Sequence, residues 1–329
     1  MKLWNVKHRT TNSSQGYILI FFSTLLFLIL ILLILVILDF SEKPAPRLTP
    51  NFSLNEKVRW LKVNGGNCDI LVIGSSMALG NIDGPHIKSA LPNRSILNTG
   101  AWGLSLMDTL NLLQIIAPIC KPKLIVLVMA QSDFSHSNTV PDWSQISRYL
   151  NHKRLEPEFS YIYNMDGLYY LTSFIDRIGK KEMGNKIYDS LNFDETGGVV
   201  LDSIGLVVDE KKWNGFLMER LLTNIDINNG LKSLSKIKSV ALKNDSQLLI
   251  ISNPIRKSAW KLFSENNASE LWSYVSQWSI RNQVSFINDS QSLNLDDSHF
   301  ADYMHLNNKG ARALINDLIP KIQNLLNTN

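Results

Sequence analysis

Three short stretches of this sequence carry side chains that could do chemistry together. The first, Ile73-Gly74-Ser75-Ser76, ends an apolar run and places two hydroxyls where the chain would leave a buried strand. Open α/β sheets take their ligands at that edge, although Gly-Ser pairs are also ordinary turn chemistry. The second, Asn98-Thr99-Gly100-Ala101-Trp102-Gly103, precedes a helix-like run from Ser105. Its glycines permit a tight turn whose backbone amides point outward, an arrangement that can hold an oxyanion or simply pack closely. The third is Asp302-Tyr303-Met304-His305-Leu306-Asn307. An Asp and a His three apart can share one turn, so that the carboxylate holds one ring nitrogen and the other takes a proton from a serine. Asp296 and His299 have the same spacing, and spacing alone leaves both pairs open.

These stretches need a scaffold that brings them to one place. Short apolar runs at 69–74, 95–97, 123–129, 247–252 and 284–289 read as strands. Continuous Val, Ile and Leu without alternation is the pattern of strands buried on both faces of a parallel sheet. Helix-like segments at about 105–117, 224–244, 258–281 and 308–325 supply the crossovers that parallel strands require. The expected fold is a three-layer α/β/α sandwich around a mostly parallel five-stranded sheet. Residues 134–222 break the rhythm with aromatics and turn residues, and read as one long insertion. Such an insertion is equally consistent with a lid or acceptor-binding surface and with a packed helical elaboration.

From Tyr17 to Leu38 there are 22 residues without a charge, with Ser23 and Thr24 as the polar interruptions, enough to span about 33 Å as a helix. A cleaved signal peptide would have a shorter apolar stretch and a small-residue cleavage site, which LDFSEKPAP does not offer. The expected layout is a cytoplasmic N-terminus (1–16), a transmembrane helix (17–39), a stiff Pro-containing spacer (40–66) and an outer domain (67–329). The bias of basic residues before the helix puts the N-terminus inside.

Among the 329 residues, 33 Lys and Arg stand against 29 Asp and Glu. Lys2, Lys7 and Arg9 precede the apolar helix with no acid beside them, so the remainder is nearly neutral. A nucleic-acid binder needs clustered basic charge, and that class is set aside. No Cys-x-x-Cys or His-x-x-x-His pair supports a metal site. The Gly-containing loop is not Gly-x-Gly-x-x-Gly and no Gly-Lys-Ser/Thr follows, so no cofactor is expected.

In their order, spacing and positions at strand ends, the Gly-x-Ser, the Asn-x-x-x-x-Gly and the C-terminal Asp-x-x-His-Leu-Asn-x-x-Gly together resemble the SGNH (GDSL-like) hydrolase superfamily. The resemblance covers roughly residues 67–133 and 245–329. It implies a catalytic Ser76, Asp302 and His305, with Ser76 as nucleophile, Asp302 orienting and His305 as base. The amides of Ser76 and Gly103 are then oxyanion donors. The trailing Leu-Asn-x-x-Gly selects His305 over His299. The chain departs from the family after the third strand, where Gly-x-Asn-Asp is expected and Ala130-Gln131-Ser132-Asp133 stands. Ser132 occupies the asparagine slot, so either Ser132, Gln131 or a backbone amide serves as the remaining donor or the enzyme is slow.

With its anchor, Gly-Ser-Ser and long insertion, the chain is similar to membrane-anchored members that acylate envelope polymers, such as the teichoic acid D-alanyl transfer protein and alginate O-acetylation proteins. That resemblance implies a single-pass membrane protein with its domain outside the cytoplasm. It also implies a multi-span partner that delivers acyl groups, and a polysaccharide or other ester substrate. A tethered esterase and a non-catalytic assembly protein are the alternatives. In the resembled fold Cys68 and Cys120 precede neighbouring strands, compatible with a disulfide or with two free buried thiols.

Overall fold

The computed structural model describes residues 13–38, 45–135, 141–151, 167–202, 225–257, 268–289, 293, 295–302 and 304–327. They fall into two units, divided between Pro44 and Ala45. In the first, helix α1 (Ser13–Leu38) contains an 18-residue window from Gly16 to Leu33 with mean hydropathy 2.8. It is long and apolar enough to cross a membrane, and a signal sequence would pass the same test.

The second unit is built on five strands: β1 (Ile70–Gly74), β2 (Ile96–Asn98), β3 (Leu124–Met129), β4 (Gln247–Ser252) and β5 (Ser285–Asn288). All neighbours are parallel and the order is β2-β1-β3-β4-β5. The sheet is therefore the one expected from the apolar runs. Its two faces divide the strand residues strictly. Leu71, Ile73, Ile125, Leu127, Leu248 and Ile250 pack on one side, against α2 (Phe52–Asn64), α5 (Leu106–Cys120), α6 (Trp143–Asn151), α8 (Ile227–Lys243) and α9 (Ala268–Asn282). Ile70, Val72, Leu124, Val126, Leu249 and Ile251 pack on the other, against α3 (Ser76–Asn81), α4 (Gly84–Ala90) and α10 (Asn308–Asn327). Helices on both faces bury β1 and β3 completely, which is why those runs are continuously apolar.

Two features depart from expectation. Residues 45–64, read as part of a spacer, fold into the domain instead. Ala45, Leu48, Leu54, Val58 and Leu61 are buried, and α2 is capped by Asn51, whose side chain accepts from the Leu54 amide at 3.1 Å. The apolar residues of α2 fall at helical spacing, a signal that the prolines before it obscured. Helices α3 and α4 also went unread, being only 6 and 7 residues long. The predicted helix at 258–281 begins among residues that lie outside those described, as do 1–12 of the N-terminal segment.

The described part of the long insertion carries two helices, α6 and α7 (Gly167–Met183), and irregular chain from 187 to 202. Residues 188–201 within it are drawn back against the domain. Lys57 of α2 is fully buried and donates to the carbonyl of Asn98 at 2.7 Å and to that of Gly197. The Asn98 amide donates to Thr196 at 2.7 Å. Burial pushes the Lys57 ammonium down to about 7, against the opposing pull of Asp194. Leu79, Trp102, Leu191, Val199 and Leu201 form a separate apolar cluster at this junction, with Tyr188 and Phe193 packed on it.

A disulfide joins Cys68, just before β1, to Cys120 at the end of α5, with their Cα atoms 5.2 Å apart. It closes a loop with a sequence separation of 52, a constraint on the unfolded chain worth about 2–4 kcal/mol. Replacing both cysteines with alanine should lower the denaturant midpoint accordingly. In native unreduced protein neither sulfur should react with iodoacetamide, and alkylation of both would show that the bond is not formed.

Candidate functional site

The topology reverses direction between β1 and β3, and the crevice beyond their carboxyl ends is where such sheets bind ligands. The chain leaves β1 through Gly74, whose φ of +142° and approach to Val128 leave no room for a side chain: a Cβ there would lie 2.2 Å from the Val128 carbonyl oxygen. Ser75 then caps α3, its hydroxyl oxygen accepting from the Met77 amide, and Ser76 is the first residue of the helix. Amides in a first helical turn have no partner within the helix.

Ser76, His305 and Asp302 converge at this edge although 229 residues separate the serine from the histidine. The Ser76 Oγ lies 2.9 Å from His305 Nε2, and His305 Nδ1 lies 2.7 Å from Asp302 Oδ2. The other carboxylate oxygen of Asp302 accepts from the amides of Met304 and His305, at 2.9 and 2.7 Å. Burial alone would raise the Asp302 carboxyl, but the His305 charge and these hydrogen bonds outweigh it and hold the group below its ordinary range. A carboxylate so held keeps the imidazole in the tautomer with its proton on Nδ1, leaving Nε2 as acceptor.

The rival pair separates from this one by burial. Asp296 and His299 also touch, at 2.8 Å, but the Asp296 side chain is 69% exposed against 2% for Asp302. Asp296 caps the short turn Asp297–His299 by accepting from the Ser298 amide at 2.9 Å. Bonds from Ser298 and then His299 hold its carboxyl down at about 2. It is a surface cap with the spacing of a relay.

The loop carrying His305 is clamped from two sides. Asn81, the last residue of α3, accepts the Leu306 amide at 2.8 Å and donates to Asn253, just beyond β4. Asn253 in turn donates to the Met304 carbonyl at 2.6 Å. On the far side Asn307 donates to the carbonyls of Ser298 and Phe300 and accepts from the Gly310 amide. Gly310 is required there, since a Cβ would fall 2.1 Å from the His299 carbonyl oxygen. This explains the Leu-Asn-x-x-Gly spacing. Asn81 and Asn253 carried no signal in the sequence beyond the turn chemistry of Asn253-Pro254.

Gly103, with φ of +70°, is exposed in the turn before α5. Ser132 lies in the short helical turn Gln131–Phe134 after β3, but its hydroxyl faces Asp133, 3.5 Å from Oδ1, and does not bond to Ser76 or His305. Gln131 is buried. Asp133 is the more deeply engaged residue of that block: its Oδ2 accepts from Ser75 Oγ at 3.0 Å and from the Ala130 amide at 2.8 Å. Burial pushes its carboxyl up to about 7, against those bonds and the His305 charge.

A further aromatic from the insertion completes the site. The Tyr188 ring meets the His305 ring edge-on, with centroids 4.9 Å apart, and its hydroxyl interacts with Ser76. Nothing in the residues around Tyr188 marks it in the sequence, because its partners lie more than a hundred residues away on either side.

No family model matches the chain, and no curated protein matches it. Two crystal structures are similar in fold. One is a proposed acylhydrolase from Bacteroides fragilis, 9% identical, with a TM-score of 0.44 over 83% of this chain and 98% of that one. The other is a GDSL-like lipase from Bacteroides thetaiotaomicron, 11% identical, with a TM-score of 0.41 over 82% and 99%. Likeness at this level decides nothing about chemistry. The side-chain geometry has to carry that.

The raised Asp133 carboxyl has a consequence for stability. An unfolded aspartate titrates near 4, so between about pH 4 and pH 7 the native state binds more protons than the unfolded state. Stability therefore falls as pH rises through that window. Asp133→Asn keeps an acceptor oxygen for Ser75 and Ala130 but cannot ionise. Its melting temperature should fall less than that of the wild type from pH 4 to pH 7, and parallel profiles would contradict the assignment.

Proposed function

We propose that the domain is a serine acyl-transfer enzyme of the SGNH (GDSL-like) type, held at a membrane by α1, which moves an acyl group from an ester or thioester to a hydroxyl of an envelope polysaccharide. The observation that carries this reading is the unbroken relay from Ser76 Oγ through His305 to Asp302. In the first half-reaction Ser76 Oγ attacks the carbonyl carbon and His305 Nε2 takes its proton. Asp302 stabilises the imidazolium through Nδ1. The tetrahedral oxyanion faces the amides of Ser76 and Gly103. As the intermediate collapses, His305 returns the proton to the departing oxygen or sulfur and the acyl group stays on Ser76. In the second half-reaction an acceptor hydroxyl gives its proton to His305 and attacks the acyl carbon, and His305 returns that proton to Ser76 Oγ as the bond to the acyl carbon breaks.

The acceptor distinguishes transfer from hydrolysis, the alternative in which water attacks. The apolar α1 and the docked insertion favour a polymer acceptor at a membrane surface, with a multi-span protein supplying the acyl group. The Cys68–Cys120 bond supports a domain outside the cytoplasm, since such bonds persist in oxidising compartments. A non-catalytic scaffold would be favoured by a Ser76 turned away from His305, the opposite of the 2.9 Å contact.

Wild-type protein should be labelled by a serine-reactive fluorophosphonate, and Ser76→Ala should abolish the label. His305→Ala should slow labelling by at least about 10³-fold, whereas His299→Ala should leave it unchanged. Labelling undiminished in Ser76→Ala would refute the nucleophile. Cells carrying Ser76→Ala should also have less ester-linked acyl on their envelope polysaccharides than wild type. Equal content, with turnover of a chromogenic acetyl ester intact in the wild type, would favour the esterase.

A further inference from the structure

The block after β3 leaves the site short of a donor. In the resembled family an asparagine side chain follows the third strand, and here Ser132 stands in its place with its hydroxyl turned to Asp133. The amides of Ser76 and Gly103 would face the developing negative charge alone. Losing one donor of that kind typically costs about 10²–10³ in turnover.

Tyr188 is held where that donor is needed. Its backbone carbonyl accepts from Trp102 Nε1 at 2.8 Å, tying it to the residue next to Gly103. Its ring packs edge-on against the imidazole that serves Ser76, with centroids 4.9 Å apart, and its hydroxyl interacts with Ser76. The segment that carries it is fixed from below by Lys57 and by the Asn98–Thr196 bond, and packs with Trp102 and Leu79. A phenol that interacts with the serine oxygen in the free enzyme is within reach of the carbonyl oxygen of an ester attacked by that serine, because the two oxygens share one carbon in the tetrahedral intermediate.

We infer that Tyr188 is a catalytic residue of the proposed acyl transfer, its phenolic O–H being the third oxyanion donor in place of the missing asparagine. In the free enzyme the Tyr188 hydroxyl donates to Ser76 Oγ while Ser76 donates to His305 Nε2. When Oγ becomes bonded to the acyl carbon, the phenol transfers its hydrogen bond to the oxyanion. No proton leaves the tyrosine, and the proton released by Ser76 still goes to His305.

The surroundings keep the phenol in the donating form. Burial pushes it up to about 12, and the nearby carboxylates Asp302, Asp133 and Asp189 act in the same direction against the Ser76 bond. A group so disposed is a poor base and a steady hydrogen-bond donor through neutral pH.

The inference rests on the serine reading, and one set of measurements separates the two. Full-length protein in detergent is assayed for the rate of fluorophosphonate labelling and for turnover of a chromogenic acetyl ester, as wild type and as Tyr188→Phe. The substitution keeps the ring against His305 and the Trp102 bond to the backbone, so the melting temperature serves as the control for folding. The expected result is a fall of about 10²–10³ in kcat with KM little changed, and a comparable fall in the labelling rate. The acidic limb of the pH profile should stay where it is, because His305 remains the base. Labelling and ester turnover at wild-type rates in Tyr188→Phe would overturn the tyrosine assignment and leave the serine reading standing. So would a loss confined to transfer onto an added glycan, which would make Tyr188 an acceptor contact. A wild type that takes no label at all would instead overturn the serine reading, and this inference with it.

Discussion

An imidazole buried between a hydroxyl and a carboxylate keeps its orientation only if the carboxylate is itself fully bonded, and the rest of the domain is arranged around that requirement. Asp302 meets it with one oxygen on His305 and the other on two backbone amides of its own turn. A buried charge without such partners would cost several kcal/mol. The turn cannot hold itself, so Asn81 and Asn253 reach it from the end of α3 and the end of β4. The same short helix α3 that begins with Ser76 thus ends with a residue that fixes the histidine loop. Ser76 and His305 are both positioned through this one element.

The sheet supplies the rigidity behind this. Its five parallel strands place every loop that matters at one edge, and the reversal between β1 and β3 opens the space between Ser76 and the turn after β3. Continuous apolar burial on both faces leaves the strand ends as the place where polar groups can gather. The insertion then closes the site from the side of β2, pinned by a buried lysine that donates to the carbonyls of Asn98 and Gly197. Its choice of partners is informative: main-chain carbonyls of two distant segments are joined through one ammonium, so the position of Tyr188 depends on α2. A segment that looked like a tether before the domain is part of the site's foundation.

The family pattern and the local structure diverge at Ser132. There the sequence left Ser132, Gln131 or a backbone amide to take over from the missing asparagine, or a slow enzyme without one. In the structure the block is occupied with holding itself together. Asp133 binds Ser75 and Ala130, and Ser132 faces Asp133. A hydroxyl that interacts with the serine comes instead from the insertion, which the sequence left open between a lid or acceptor-binding surface and a packed elaboration.

Strands, their buried character, the main crossover helices and the three polar stretches were legible in the sequence because each is a local property. A strand covered on both faces must be apolar throughout, and a Gly-Ser-Ser or Asp-x-x-His is contained within four residues. Ordering five strands, separating Asp302 and His305 from the equally spaced Asp296 and His299, joining Cys68 to Cys120, and bringing Lys57, Asn253 and Tyr188 to bear on the site were decided only by tertiary structure. Each depends on groups 40 to more than 200 residues apart, and the burial that distinguishes a relay from a surface cap exists only once both faces of the sheet are covered.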